Sequence, residues 1–240
     1  MPAPRTTLVY DLPTRVFHIL FAGLFVTAFT IANVADESPA FPYHMLAGAL
    51  LAALVILRVI WGFAGTRYAR FSSFELKPGN LIDYFRALFR GGTRTWAGHN
   101  PASSWAALTM IGLAAGLAIT GVLMVNGHEQ YEDVHEVLAN AFLAIALLHV
   151  AGVLVHQLRH RDGFAFSMVD GHKQAAETEG IRSTRPVAGF ASLALVGALG
   201  FYLLRGFDFA TGTLQAFGTT LQLHESESDE AGGEEEGDDD

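Results

Sequence analysis

The sequence predicts an all-α membrane protein whose chain crosses the bilayer five times. One observation behind this is a set of five apolar runs, each close to the roughly 20 residues that a spanning helix needs, in a chain of 240 residues that is 51% hydrophobic. The other is that nearly all Lys and Arg residues fall in three of the segments outside these runs. Five core helices of a soluble protein are a poor alternative, because little polar surface would remain to face water.

The five predicted spans cover residues 17–34, 44–63, 102–125, 134–158 and 187–204. The first is short, but Pro13 suits the first turn of a helix, so residues 14–17 can extend it. A cleaved signal peptide is the alternative, since residues 32–35 are mostly small. The weakly charged start and a histidine in the run, His18, favour an uncleaved helix. In the long second connection, Pro78–Arg90 has apolar residues at helical spacing with charges between them, typical of a helix lying at the membrane surface.

The basic residues predict the orientation of these spans. Thirteen of the 15 lie before the first span, in the connection at 63–101, or in the connection after the fourth span. The short connections at 35–43 and 126–133 contain acids and no bases. The positive-inside rule therefore predicts that the N-terminus lies in the cytoplasm. Five spans then place the C-terminus in the periplasm.

The formal net charge of −9 is concentrated at the C-terminus. Residues 206–240 contain 11 of the 24 acids and no Lys or Arg, which leaves 13 acids against 15 bases elsewhere. We expect this segment to be an acidic, largely disordered periplasmic tail, above all from Glu225 onward. Such a tail favours a cationic partner. A solubilising or spacing role is the alternative, and we expect no nucleic-acid partner.

The chain contains no cysteine. This excludes disulfides, cysteine-ligated zinc, iron–sulfur clusters, covalent haem attachment through a CxxCH motif and any thiol nucleophile.

Five histidines, His156 among them, lie within or at the ends of the predicted spans, where an ionisable side chain is costly and marks a functional site. His44 and His135 begin two spans on the outer side. His18 begins the first span on the cytoplasmic side, and His149 follows His135 by 14 residues, which is ~21 Å along a helix. Two layers result, each with histidines from two helices. Such pairs are the axial ligands of a bis-histidine haem, an arrangement that favours electron transfer over oxygen binding.

Other interpretations of these histidines stay open. A histidine-based metal transporter without haem, or a proton relay, would usually recruit carboxylates as well, and none lies deep in the spans. His156 is an alternative to His149 in the inner layer, but it would lie ~10 Å nearer the lipid surface.

Several neighbouring residues suit a haem site. Gly48, one turn after His44, leaves room for a flat macrocycle. Gly112 and Gly116 could leave room for it too, but close helix packing explains these two glycines equally well. Arg58 and Arg15 suit haem propionates, and snorkelling to the lipid headgroups is the alternative for both.

Several motifs together resemble one family. The opening Tyr10-Asp11-Leu12-Pro13-Thr14-Arg15-Val16-Phe17-His18 resembles the W-D-x-P-x-R-x-x-H start of bacterial cytochrome b561 and of the b-type cytochrome subunit of nickel–iron hydrogenases. His44 with Gly48, Arg58-Val59-Ile60-Trp61-Gly62-Phe63, Tyr68-Ala69-Arg70-Phe71, Gly98-His99-Asn100-Pro101, Asp133-Val134-His135-Glu136 and His149 follow in the family's order. The resemblance covers about residues 8–175. One departure is Ile19, where the family commonly has tryptophan.

The resemblance implies a four-helix haem-binding transmembrane bundle with two non-covalent b haems, working in electron transfer with quinone. The family's ligands correspond to His18, His44, His135 and His149. It implies a haem domain at 1–175 in the bacterial inner membrane. The linker and fifth transmembrane helix at 176–205 and the tail at 206–240 lie outside the family's four-helix pattern. Two roles are consistent with the resemblance: transfer between the quinone pool and a periplasmic redox partner, or a membrane anchor and electron acceptor for a hydrogenase-like oxidoreductase.

Overall fold

A computed structural model shows a bundle of long helices with a small sheet at each end. It describes residues 5–35, 38–90, 96–160, 163–175, 179–208 and 213–222. The helices are α1 (Leu12–Val34), α2 (Phe41–Ala64), α3 (Pro78–Arg90), α4 (Pro101–Val125), α5 (Glu132–His160), α6 (Ser167–Asp170) and α7 (Pro186–Gly206). All but α3 and α6 are long and apolar enough to cross a membrane. The five predicted spans are thus confirmed, each slightly longer than predicted, and α3 has the predicted bounds.

Prolines and polar caps define where the spanning helices begin. A proline stands in the first turn of α1, α2, α4 and α7, where its missing N–H costs no hydrogen bond. Asp11 caps α1 by accepting from the backbone N–H of Thr14 at 3.0 Å, and Asn100 caps α4 by accepting from that of Ser103 at 2.8 Å. These caps satisfy backbone donors that a helix start leaves free.

Helices α1, α2, α4 and α5 share one apolar core. Its buried members are Phe25, Val55, Ala114 and Phe142, one from each helix. The rings of Phe25 and Phe142 have centroids 4.3 Å apart, so α1 and α5 are in direct contact at mid-height. This is the four-helix core expected from the resemblance. We call the end of the bundle where α1 begins the inner end, and the end where α2 and α5 begin the outer end.

Helix α7 belongs to the same bundle. It packs against α1 and α2, and its Gly189 lies so close to Leu12 that a Cβ there would come within 2.6 Å of that side chain. The backbone N–H of Leu12 donates to the carbonyl of Thr184 at 2.8 Å. The start of α7 is therefore tied to the start of α1 at the inner end.

A two-stranded sheet closes the inner end and a three-stranded sheet the outer end. The first pairs β1 (Arg5–Leu8) with β2 (His172–Ala175) in antiparallel register. The second has the order β3 (Phe207–Asp208), β4 (Thr213–Ala216), β5 (Thr219–Gln222). Its buried residues pack on α2 and α7 in one cluster, whose buried members are Leu46, Leu203, Phe207, Leu214 and Ala216.

The outer sheet corrects one prediction. The sequence predicts that residues 206–240 are largely disordered, but 207–208 and 213–222 form strands because Leu214 and Ala216 bury themselves against the helices. The strongly acidic residues from 225 to 240 lie outside the described residues.

Candidate haem site

The outer layer brings His44 and His135 together. His44 lies in the first turn of α2 and His135 in the first turn of α5, and their ring centroids are 6.2 Å apart. A metal ion about 2 Å from one nitrogen of each ring requires centroids roughly 6 Å apart. The spacing of the two rings would thus allow both to hold one metal ion.

Hydrogen bonds determine which nitrogen of each outer histidine is free. His44 Nδ1 lies 2.9 Å from the carbonyl of Ala28, and a carbonyl can only accept, so Nδ1 carries the proton. His135 Nδ1 lies 2.7 Å from Thr120 Oγ1. That hydroxyl also lies 3.0 Å from the carbonyl of Gly116, to which it donates, so it accepts from Nδ1. Both Nε2 atoms are left with a lone pair, the state that metal ligation needs.

The inner layer places His18 and His149 near each other. The two residues are close enough to interact electrostatically. In the structure His18 is exposed and His149 half-buried. His156, the alternative to His149, is only 2% exposed and packs on the ring of Phe164, with centroids 4.8 Å apart. His156 is thus held within the packing of the inner loops.

Arg58 reaches into the inner layer. Its side chain is 5% exposed, and its guanidinium lies 5.2 Å from the ring centroid of Phe71 and 5.9 Å from that of Phe17. Its Nη1 is buried and makes no hydrogen bond among the described residues. A buried, unsatisfied guanidinium donor is costly, which suits a position meant for an anionic group.

The remaining predicted site residues differ in their surroundings. Arg15 donates through Nη2 to the carbonyl of Val169, in α6, so at least part of its guanidinium holds the inner loops. A Cβ built on Gly48 or on Gly112 would meet nothing within 4 Å, whereas one on Gly116 would lie 3.1 Å from Leu138. Gly48 and Gly112 therefore border open space, and Gly116 permits close packing of α4 on α5.

His99 is an inner-end residue that the sequence reasoning did not single out as a site residue. Its ring contacts Tyr10 and Phe74, with centroids 5.5 and 4.9 Å away, and it borders a cavity of about 490 Å³. Burial, and then the nearby charge of Arg58, lower the pKa of His99 to about 3. A neutral imidazole whose buried Nδ1 has no partner among the described residues thus adjoins the inner layer. Its place in a Gly-His-Asn-Pro motif was the only sequence indication.

Thr120 and Asp11 are two further residues near the site that the sequence did not identify as site residues. Thr120 sits in an apolar helix where a threonine is ordinary, and nothing in the sequence links it to His135. Asp11 is 0% exposed and stands in the opening motif, but its partners Trp61 and Thr66 lie 50 and 55 residues away. Only the tertiary structure brings these groups together.

Paired histidines on facing helices of a membrane bundle define a class of protein, the haem-binding membrane cytochromes. The chain belongs to the prokaryotic cytochrome b561 family, whose model matches residues 9–171, more than half of the chain. The protein is thus an integral membrane b-type cytochrome of electron transport, and the resemblance noted in the sequence is confirmed. Neither a search of curated proteins nor one of solved structures found a match.

The residues present fit b-type haem. The outer pair offers two free Nε2 atoms on rings whose centroids lie 6.2 Å apart, and each ring is oriented through its other nitrogen. Arg58 offers a buried donor for a propionate. Among the described residues no group of three or more His, Asp or Glu side chains is gathered as a metal site would gather them; the histidines occur in pairs.

Proposed function

We propose that the protein is a di-haem cytochrome that transfers electrons between the quinone pool and a redox partner on the outer side of the bacterial inner membrane. The observation that carries this proposal is the geometry of His44 and His135, whose ring centroids lie 6.2 Å apart. A bound b haem with two histidine ligands supplies one-electron chemistry and has no open position for oxygen.

In this proposal His44 and His135 hold the outer haem, and His18 and His149 hold the inner one. Support for the second pair comes from their electrostatic proximity and from the position of Arg58. Because His156 is occupied in packing against Phe164, His149 is the better inner ligand. Phe25 and Phe142 fill the space at mid-height, which keeps water out of the region between the two layers.

The orientation is part of the proposal. Bases concentrate on the connections at the inner end, which supports a cytoplasmic position for that end. The outer pair then lies near the periplasmic surface, where a soluble redox partner or a periplasmic oxidoreductase subunit can approach.

The inner ligands can be distinguished by haem content. We expect His149→Ala to lose half of the haem per polypeptide in a pyridine haemochrome assay, and the matched variant His156→Ala to keep all of it. Full haem in the first variant, or half in the second, would reject the assignment of His149.

The function itself can be tested in vesicles. A short-chain quinol added to purified, reconstituted protein should produce reduced b-type α and Soret bands, and an outer-face acceptor should then reoxidise them. A protein that has haem but is not reduced by quinol would disprove the link to the quinone pool. A protein without haem bands would instead favour the transporter alternative.

A further inference from the structure

Asp11 is a buried carboxylate at the inner end of the bundle, and its hydrogen-bond partners in the described part of the chain are all neutral. Its Oδ1 accepts from the backbone N–H of Thr14 at 3.0 Å. Its Oδ2 accepts from Trp61 Nε1 at 3.0 Å and from Thr66 Oγ1 at 2.7 Å. Burying a charge without an ion-pair partner is expensive, so its presence requires an explanation beyond the helix cap, which an asparagine would provide as well.

These hydrogen bonds join two helices that carry the inner site. Thr14 is in the first turn of α1, and His18 lies one turn further along that helix. Trp61 is in the last turn of α2 and Thr66 just beyond it, and Arg58 lies one turn before Trp61. One carboxylate therefore determines how the start of α1 meets the end of α2, and so where His18 stands relative to Arg58.

The charge of Asp11 also acts on Arg58. The two groups attract each other electrostatically, but they share no direct ion pair, because the guanidinium is held between the rings of Phe17 and Phe71. In the low dielectric of a buried site such an interaction persists without contact. Arg58 thus keeps a free Nη1 while part of its positive charge is balanced.

We propose that Asp11 is a positioning residue of the inner haem site. It balances the positive charge of Arg58, and its hydrogen bonds hold the start of α1 against the end of α2. This inference rests on the proposed function, because it presupposes a haem at His18 and His149. An uncompensated Arg58 would favour the ferrous over the ferric haem, since reduction adds a negative charge. Asp11 therefore lowers the midpoint potential of the inner haem.

The test is an optical redox titration of the purified holoprotein. Asp11→Asn keeps the helix cap through Oδ1 and removes the charge together with the Oδ2 acceptor of Trp61 and Thr66, since an amide nitrogen cannot accept. We expect the inner midpoint potential to rise while the outer one stays unchanged. Asp83→Asn is the matched control: it removes an exposed carboxylate that pairs with Arg86 on α3 and should shift neither potential. Trp61→Phe removes one hydrogen bond, keeps the charge, and should lower the thermal unfolding midpoint without shifting the potential.

Arg58→Gln should lower the inner potential, and the double variant Asp11→Asn/Arg58→Gln, which removes both charges, should return it close to the wild-type value. If Asp11→Asn alone loses the inner haem, the double variant should regain it, and failure to do so would overturn the proposal. Unchanged potentials in Asp11→Asn would overturn it too. A wild-type protein with only one haem would instead disprove the proposed function, so the two failures are distinguishable.

Discussion

At the scale of single residues, the site depends on groups that orient the ligands as much as on the ligands. The sequence predicts the four proposed histidine ligands, because an ionisable residue in an apolar run is conspicuous. The carbonyl of Ala28 and the hydroxyl of Thr120 could not be predicted as their hydrogen-bond partners. Every residue has a backbone carbonyl, and threonine is common in membrane helices. Yet these two acceptors determine that Nε2 is the free nitrogen of His44 and His135.

Thr120→Val should weaken the outer haem site. The change leaves His135 Nδ1–H without an acceptor, and loss of such a partner typically lowers metal affinity by about 10- to 100-fold. Thr27→Val is the matched control, because the hydroxyl of Thr27 bonds only within α1, to the carbonyl of Gly23. Haem retained during extended dialysis against a haem acceptor measures the effect. Equal retention in the two variants would show that the Thr120 contact does not matter.

His99 should make stability depend on pH. Its pKa in the folded protein is about 3, whereas an unfolded histidine titrates near about 6.5. Between these values the unfolded chain binds a proton that the folded chain does not, so stability should fall as the pH falls, by roughly 1.4 kcal/mol per pH unit. Thermal unfolding midpoints of the wild type and of His99→Gln, followed from neutral to mildly acidic pH, should diverge, with the wild type losing more. Parallel curves would contradict this.

At the scale of secondary structure, apolar runs and prolines predicted the helices well, because both act locally. Helix α3 has the bounds that its amphipathic pattern indicated. The outer sheet was missed because its strands are short, and because they are stabilised by contacts with Leu46, which is distant in sequence. Its turn contains Phe217 and Gly218 with φ of 53° and 79°. This left-handed conformation is uncommon for phenylalanine, so the sequence does not predict the turn.

The shared core of α1 and α5 should be sensitive to truncation at Phe142. This ring is 3% exposed and packs on Phe25 at 4.3 Å, so Phe142→Ala should destabilise the bundle by about 3–5 kcal/mol. The same helix offers a control in Leu148→Ala, because Leu148 is 69% exposed and would lose only contacts with lipid. Thermal unfolding in detergent compares the two. Similar losses would mean that the Phe25–Phe142 contact is not a core contact.

At the scale of the whole molecule, charge separates the two ends of the protein. The sequence predicted this asymmetry directly, since basic residues gather in the connections now seen at the inner end and acids at the C-terminus. How α7 packs could not be predicted, because an apolar helix shows its partners only through close contacts such as that of Gly189 with Leu12. The family match ends at residue 171, so α7 and the outer sheet lie beyond the matched region.

The acidic C-terminal residues should accelerate encounters with a cationic partner. Deleting residues 225–240 should slow electron transfer to a basic c-type cytochrome several-fold at low ionic strength and have little effect at high salt, where exposed charges are screened. A tail of equal length with its acids changed to Asn and Gln separates charge from spacing and should behave like the deletion. Unchanged rates and salt dependence in both variants would leave only a solubilising or spacing role.

Two pairs of histidines, each holding one b haem, are central to the proposed electron transfer. The most direct measurement is the haem-to-polypeptide ratio of the purified protein, with His135→Ala and His149→Ala measured beside it. We predict two haems in the wild type and one in each variant, with the α band of a different haem lost in each case. A wild-type ratio of one, or a variant that keeps both haems, would contradict the assignment of two histidine pairs to two haems.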